Sequence, residues 1–256
     1  MAPAIPTGPF WPHRQRGAEG EPRGSHPLRR GKGGSAASAD GHNGVVLTMD
    51  AVLETYEADD FALWPVAGLR TDRFLPLSGR LSAMEVGTAM AILVGYNQDA
   101  SDDPVTEPGA GIRRLRHLAE TESVIAPGGL RVHDSTTGAM VWPGCCFGLE
   151  NWRDWGGLTQ GEQIWLGHDP APHAERVGSL IRLWPDTKGA ATHPVDIPVA
   201  ELPDLLRTVQ DKLTGFLALA GQWLSQHAPS LATPLTAKLN ADLSIGAPRR
   251  LPTGRG

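Results

Sequence analysis

The sequence predicts an α+β domain: an antiparallel sheet of four to five strands, covered by a long C-terminal helix and shorter helices. Apolar residues between Leu202 and Leu224 recur at i, i+3, i+4 and i+7, the period of an amphipathic helix. Short apolar runs bounded by Gly and Pro precede this helix, and such runs are typical of strands. Five of the eight Trp residues and both Cys residues lie between Met140 and Trp184, so we expect the core to form around this run.

Composition divides the chain into a tail and a domain. Residues 1–44 are mostly Gly, Pro, Arg, Ser and Ala, and such a segment buries too little apolar surface to offset its ordering entropy. We therefore expect disorder over residues 1–48, one domain over 49–243, and a disordered C-terminal tail over 244–256. A translation start at Met49 is an open alternative explanation for the N-terminal tail.

Charge and cysteine content limit the function classes. The chain carries a net charge of −5, and its tail holds six Lys/Arg against three Asp/Glu, which leaves −8 for the rest. An acidic domain without a basic stripe argues against nucleic-acid binding. No apolar run approaches the ~18 residues of a membrane span, and no secretory signal is seen. Two adjacent Cys residues fit a reducing compartment, so we expect a cytoplasmic protein without a disulfide framework.

The first half of the domain is predicted to be mainly helical. A short helix through Tyr56 comes first, followed by an extended piece. Ser82 and Glu85 form a capping box that opens a helix ending near Gly95. A further helix is expected from Ile112 to Glu120. The predicted inward residues of the capped helix are Met84, Ala91, Leu93 and Val94.

The second half is predicted to be mainly strands before the long helix. Residues 129–134 and 139–142 flank a four-residue turn and should form a hairpin. Residues 149–155 have helical spacing, and Gly156-Gly157 should end that helix. Further strands are expected at residues 163–166, 180–184 and 193–199, the last at a sheet edge because of its prolines. The long helix should run from Glu201 to about His227, with a shorter helix over residues 234–243.

The most polar cluster is the stretch from His168 to Glu175. A metal site would use His168, Asp169, His173 and Glu175, all of ligand type, and a carboxylate there could act as a base. The alternative is a proline-stiffened loop in which Asp169 accepts backbone N–H groups as an Asx turn. The two His residues have two prolines between them and cannot share one helix face as zinc-protease ligands do.

A second candidate is a nucleophilic cysteine. Cys146 precedes the predicted helix at Leu149, and a helix N-terminus lowers the pKa of a thiol. His168 or His133 would serve as the base and Asp169 would orient it. The alternative is that both cysteines are small packing residues. Gly-rich phosphate loops are absent, and we expect no cofactor.

Aromatic residues offer a third candidate, a protein-binding surface. Trp is enriched at binding hot spots, and Trp152 and Trp155 with Arg153 could form an exposed patch. The alternative is that these tryptophans belong to the core. The candidate binding residues are Trp152, Arg153, Trp155, Trp165, His168 and Asp169.

Two runs carry a family resemblance. Thr136-Thr-Gly-Ala-Met-Val-Trp-Pro-Gly-Cys-Cys-Phe-Gly-Leu-Glu-Asn-Trp-Arg-Asp-Trp155 and Trp165-Leu-Gly-His-Asp-Pro-Ala-Pro-His-Ala-Glu175 resemble a group of uncharacterised actinobacterial proteins. The Pro-Gly-Cys-Cys and Gly-His-Asp-Pro blocks carry this resemblance, which covers about residues 80–227. It implies no activity and transfers no functional residue. In size, charge and layout the chain is also similar to immunity proteins of polymorphic toxin systems, such as the SUKH group.

Two functions follow as hypotheses. The first is a non-catalytic cytosolic protein-binding module, such as an immunity protein that blocks a basic toxin; the oligomeric state is left open. The second is a small hydrolase that uses the His168–Glu175 loop, with or without a metal. Clustering of His133, Cys146, His168 and Asp169 in one concave pocket would favour the enzyme, and scattering would favour the binding protein.

Overall fold

The computed structural model describes residues 47–68, 71–98, 108–186 and 193–247. Most of the predicted N-terminal tail and the end of the C-terminal tail lie outside these ranges. The α+β class is confirmed. The strands form two antiparallel sheets, of four and three strands, where the sequence predicted one.

The four-stranded sheet has the order β2-β1-β3-β4, with β1 Leu47–Glu54 and β3 Gly128–Asp134 at its centre. The flanking strands are β2 Phe74–Pro76 and β4 Met140–Val141. β3 and β4 form the predicted hairpin. The predicted helix through Tyr56 is wrong, because the chain forms β1 followed by a short 3-10 helix, Tyr56–Ala58. Met49, Ala51 and Leu53 are buried at alternate positions, the period of a strand, and Val52 on the opposite face is buried as well.

The three-stranded sheet has the order β5-β6-β7. Its strands are β5 His173–Val177, β6 Leu180–Trp184 and β7 Val195–Pro198. β7 lies at an edge, as its prolines predict. The predicted strand over residues 163–166 is wrong, because that stretch is irregular. The predicted loop from His168 to Glu175 is also too long, since β5 already begins at His173.

The described residues form four α-helices: α1 Ala83–Tyr96, α2 Ala110–Glu120, α3 Leu202–His227 and α4 Pro229–Asp242. Of these, α1 and α3 pack against β1 of the four-stranded sheet, and α2 and α4 pack against other helices. The predicted long helix is confirmed as α3, which packs against β1, α1 and α4. The Ser82–Glu85 capping box is confirmed, with both reciprocal hydrogen bonds present. None of the helices in the described ranges has the combined length and apolarity needed to cross a membrane.

Some details of the helices differ from the prediction. Met84 is 50% exposed, because it lies in the first turn of α1 ahead of the continuously buried run Val86–Val94. The predicted helix at Leu149 is a 3-10 helix, Leu149–Gln160, that continues through Gly156-Gly157 and ends at Gly161 in the left-handed conformation.

Both predicted domain boundaries move outward. β1 begins at Leu47, and Met49 lies inside this strand, buried and paired with Val132. At the other end, Ile245 is buried. The Arg153 guanidinium donates to the carbonyl oxygens of Ser244 and Ala247 at 2.7 and 2.9 Å. Residues 244–247 are therefore part of the folded domain.

An ionic cluster ties α3 to the four-stranded sheet. Lys212 Nζ on α3 lies 2.6 Å from Asp50 Oδ1 on β1, and Arg131 Nη2 on β3 lies 2.7 Å from Asp50 Oδ2. Burial raises the pKa of the Asp50 carboxyl, but the hydrogen bonds and charges of Arg131 and Lys212 lower it more. The net pKa lies below the ordinary value of 3.8. Folding therefore stabilises the ionised form of Asp50.

Replacing Asp50 by Asn tests this cluster. We expect a loss of about 1–3 kcal/mol in the free energy of unfolding at pH 7, because two partly buried cations lose their counter-charge. A carboxyl with a lowered folded-state pKa contributes stability that is present above its unfolded pKa and is lost as the pH falls through the folded value. The difference between wild type and Asp50→Asn should therefore shrink as the pH falls below the ordinary carboxyl value of 3.8.

Urea unfolding at a series of pH values measures both effects. Asp211→Asn is the matched control, because Asp211 is exposed and adjoins Lys212 on the same helix. A wild-type advantage over Asp50→Asn that stays constant from pH 7 to pH 2 would contradict the role given to this carboxylate.

Candidate functional site

The candidate site is built where two chain segments meet, residues 143–146 after β4 and residues 166–170 before β5. Cys145 and His168 form an isolated antiparallel bridge. The Cys145 N–H donates to the His168 carbonyl oxygen at 2.7 Å, and the His168 N–H donates to the Cys145 carbonyl oxygen at 3.1 Å. The Gly144 N–H adds a bond to the Leu166 carbonyl oxygen at 2.9 Å. Residues that exchange both bonds in such a pair place their side chains on the same face.

Two glycines allow this approach. A Cβ atom added to Gly144 would lie 2.4 Å from the Pro170 carbonyl oxygen and 2.7 Å from the carbonyl carbon of Gly167. A Cβ atom added to Gly167 would lie 2.4 Å from the carbonyl carbon of Gly144, and Gly167 also has a φ of +98°. Any other side chain at either position would push the two backbones apart.

The backbone of Cys146 brings both thiols together. Consecutive residues of an extended strand point to opposite faces. Cys146 instead has a φ of +68°, in the left-handed region, and its Sγ lies 3.2 Å from the Cys145 Sγ. A ring nitrogen of His168 joins them, so that the three ligand atoms all lie within 4.8 Å of one another. A left-handed conformation costs a non-glycine residue roughly 1–2 kcal/mol, which the surrounding contacts must offset.

An acidic residue and an exposed aromatic residue complete the site. His168 Nδ1 lies 3.1 Å from Asp169 Oδ2, and because a carboxylate only accepts, Nδ1 is the donor. Asp169 has a φ of +47°, a conformation that Asp adopts more readily than most residues. Trp165 is 58% exposed, and its ring centroid lies 6.4 Å from that of His168.

The surroundings of the thiols are acidic. Burial, the hydrogen bond shared with Cys146, and the nearby charges of Cys146, Glu54 and Asp169 raise the pKa of the Cys145 thiol to about 12. Burial also raises the pKa of Tyr96, with smaller contributions from both cysteines and from Glu54. A free thiolate at Cys145 is therefore disfavoured at neutral pH.

The structure brings some of the predicted catalytic residues together. Cys146 and His168 lie in one cluster, and Asp169 bonds to His168. His133 instead pairs with Thr48 and Met140 within the sheet. The first N–H of the predicted helix does not donate to the Cys146 thiol, because the Leu149 N–H donates to the carbonyl oxygen of Ala126.

The predicted metal set is not brought together. Among the described residues, the one group of three or more ligand-type side chains consists of Cys145, Cys146 and His168. His173 and Glu175 lie on β5, where the Trp184 indole N–H faces Glu175 Oε1 at 3.4 Å. The group therefore shares only His168 with the four residues that the sequence suggested.

The predicted exposed patch of Trp152 and Trp155 with Arg153 is wrong, because both tryptophans belong to the core. They are 1% and 2% exposed, and the Trp152 indole N–H donates to the Leu243 carbonyl oxygen at 2.9 Å. Arg153 lies over the Trp152 ring at 4.4 Å and holds the C-terminal residues. The reason is that this 3-10 helix packs inward against β3 and α3. Of the predicted binding residues, Trp165, His168 and Asp169 remain exposed.

An apolar depression adjoins the site and shares Pro143 and Leu166 with its two segments. Its lining residues are Leu130, Val141, Trp142, Pro143, Phe147, Trp155, Leu166 and Pro172. Cys146, His168 and Asp169 are not among these residues. The thiol–imidazole cluster is therefore a surface site beside the depression and does not line its wall.

Several residues of the site lie outside the sequence-based selection. Cys145 carries no signal that separates it from Cys146, and its alignment with His168 depends on the bridge. Glu54, Tyr96 and Glu150 come from three separate elements and meet near the thiols only in the folded chain. No pattern within one segment could have grouped them.

Comparisons of the chain with protein-family models, curated proteins and solved structures give no significant match.

Replacing Gly144 by Ala tests the close approach of the two segments. We expect a loss of about 2–3 kcal/mol in the free energy of unfolding, at the upper end of the range for overpacking, because the new methyl group meets backbone atoms on both sides. Gly156→Ala is the control, since nothing lies within 4 Å of its added Cβ atom. Thermal and urea unfolding measure both variants, and equal stability of the two would contradict the packing described here.

Proposed function

We propose that this protein is a non-catalytic binding protein of the cytoplasm, and that Trp165, His168 and Asp169 form the centre of its recognition surface. The observation that carries the proposal is the exposure of Trp165, 58%, on a segment fixed to the rest of the domain by backbone hydrogen bonds. Tryptophan is enriched at binding hot spots, and an exposed indole on an ordered segment is a suitable anchor for a partner.

The order of the segment supports this role. The carbonyl oxygen of Leu166, the residue after Trp165, accepts a hydrogen bond from the Gly144 N–H. The backbone N–H and C=O of His168 both bond to the backbone of Cys145. A segment whose backbone is already held in position loses less conformational entropy on binding, so more of its contact energy appears as affinity. The cytoplasm is consistent with this surface, because the adjacent thiols stay reduced there.

Charge indicates the chemistry of the partner. The chain has a net charge of −5, and the carboxylate of Asp169 is exposed beside Trp165. Complementary charge speeds encounter, so a basic protein is the partner that this surface suits, and a secreted basic toxin blocked by an immunity protein would be one such pair. An acidic surface repels nucleic-acid phosphates, so we do not propose nucleic acid as a ligand.

A cysteine hydrolase is the second candidate, and the arrangement of Cys146, His168 and Asp169 favours it. A thiol near an imidazole that a carboxylate orients is the layout of a nucleophilic cysteine. The neighbouring thiol offers no alternative nucleophile, because the pKa of Cys145 is raised to about 12, chiefly by burial. The cluster is also absent from the lining of the adjoining apolar depression, and that depression has no room for a substrate.

Affinity capture with mass spectrometry tests the proposal. We expect wild-type protein to capture a basic protein from lysate of the source organism. Trp165→Ala should weaken the complex by at least about 30-fold, the effect of losing a hot spot of 2 kcal/mol. Met84→Ala is the control, because Met84 is exposed to a similar degree but lies at the other end of α1. Tyr96, the end of α1 that is near the thiols, is about 18 Å along the helix from Met84.

The same proteins separate the two candidates. Capture that Trp165→Ala leaves unchanged would contradict the proposed surface. Turnover of ester or amide substrates by the wild type, lost in Cys146→Ala, would favour the hydrolase instead.

A further inference from the structure

We propose that Cys145 Sγ, Cys146 Sγ and one imidazole nitrogen of His168 form a binding site for a thiophilic metal ion, and we name Zn²⁺ as that ion. This inference is independent of the proposed binding function, because it depends on the ligand geometry and not on any partner of Trp165. The site would hold the ion through three protein ligands and leave a fourth position to water or an incoming ligand, as in open zinc sites.

The donor set and its spacing suit this ion. Two thiolates and an imidazole are soft and intermediate ligands, which select Zn²⁺ or Cu⁺ over Mg²⁺ and Ca²⁺. With Zn–S bonds of ~2.3 Å and a Zn–N bond of ~2.0 Å, a tetrahedral ion needs its ligand atoms roughly 3.5–3.8 Å apart. The two sulfur atoms are 3.2 Å apart, and all three ligand atoms lie within 4.8 Å of one another. Side-chain adjustments of about an ångström would complete the coordination.

The backbone holds the ligands in place before an ion binds. Cys145 and His168 are paired through two hydrogen bonds, and the left-handed Cys146 adds the second sulfur on the same side. A site on a paired backbone loses less entropy on binding than one on a free loop. The conformational cost of Cys146, a cysteine where glycine is favoured, is consistent with a role that needs its thiol.

Asp169 supplies the orienting contact that metal-bound histidines generally have. Its Oδ2 atom lies 3.1 Å from His168 Nδ1, so Nδ1 carries the proton and Nε2 keeps its lone pair for an ion. A carboxylate in this position fixes the imidazole tautomer and raises its basicity as a ligand. Asp169 is thus a positioning residue and not itself a ligand in this proposal.

Local charge also favours a cation. Besides the neighbouring Cys146, the charged side chains that act on the Cys145 thiol are Glu54 and Asp169, both acidic. Glu150, whose carboxylate oxygen accepts from the Ala126 N–H at 3.0 Å, lies near the same group of residues. An ion bearing two positive charges would be attracted by carboxylates that would repel an anionic substrate.

Titration of the full chain with Co²⁺ and Zn²⁺ tests the site. Protein that has been reduced and freed of metal with a chelator should bind one Co²⁺, with the near-ultraviolet absorption of thiolate-to-cobalt charge transfer. Zn²⁺ should displace it in the same one-to-one ratio. Cys146→Ser and His168→Ala should each weaken binding by more than about 100-fold. Asp169→Asn should weaken it by about 10–100-fold, as expected of an outer-sphere partner.

One matched variant and one folding check keep the test decisive. His173→Ala removes an exposed histidine of the same region that lies outside the cluster, and it should leave Co²⁺ and Zn²⁺ binding unchanged. Cys146 and His168 are both exposed, so their variants should keep the wild-type circular dichroism and melting temperature, which shows that they fold.

Any of three results would overturn the proposal. The first is Co²⁺ binding without thiolate charge-transfer absorption. The second is Co²⁺ binding that is no tighter in wild type than in Cys146→Ser. The third is binding lost in His173→Ala and kept in Cys146→Ser, which would place the ion on the β5 side of the loop.

Discussion

The contact between the backbones of Gly144 and Gly167 is the constraint on which the site depends. Because neither residue has a Cβ atom, the segment leaving the four-stranded sheet and the segment entering the three-stranded sheet can pair directly. This pairing places Cys145 beside His168, leaves Trp165 exposed on an ordered segment, and joins the chain at the junction of its two sheets. One backbone arrangement thus sets the positions of the thiols, the imidazole and the exposed indole.

Much of the fold could be predicted because its signals are local. The apolar period of α3 runs unbroken from Leu202 to Leu224, and the Ser82–Glu85 capping box and the β3–β4 turn each lie within a few residues. β1 does not follow from the spacing of Leu53 and Tyr56, which indicates a helix, although the apolar residues Met49, Ala51 and Leu53 occupy alternate positions. The division into two sheets could not be predicted, since alternation shows which face of a strand is buried and not which strand pairs with it.

The site was predictable by residue type and only partly by geometry. Cys146, His168 and Asp169 stand out in the sequence because their side chains carry chemistry, and the structure brings them together. The partnership of Cys145 depends on the left-handed backbone of Cys146, which no propensity indicates for a cysteine. Tryptophan shows the opposite limit. Trp152 and Trp165 are the same residue type, yet packing against β3 and α3 buries the first and leaves the second in water.

Amide hydrogen exchange at the bridge is the most direct test of the central claim, that residues 143–146 and 166–170 are locked together by backbone hydrogen bonds. Exchange of the Gly144, Cys145 and His168 amides can be followed residue by residue by NMR. We expect exchange at least about 100-fold slower than in an unprotected chain, corresponding to roughly 2.7 kcal/mol of local stability. Exchange of the Cys145 and His168 amides at unprotected rates, while the β3 amides stay slow, would contradict it.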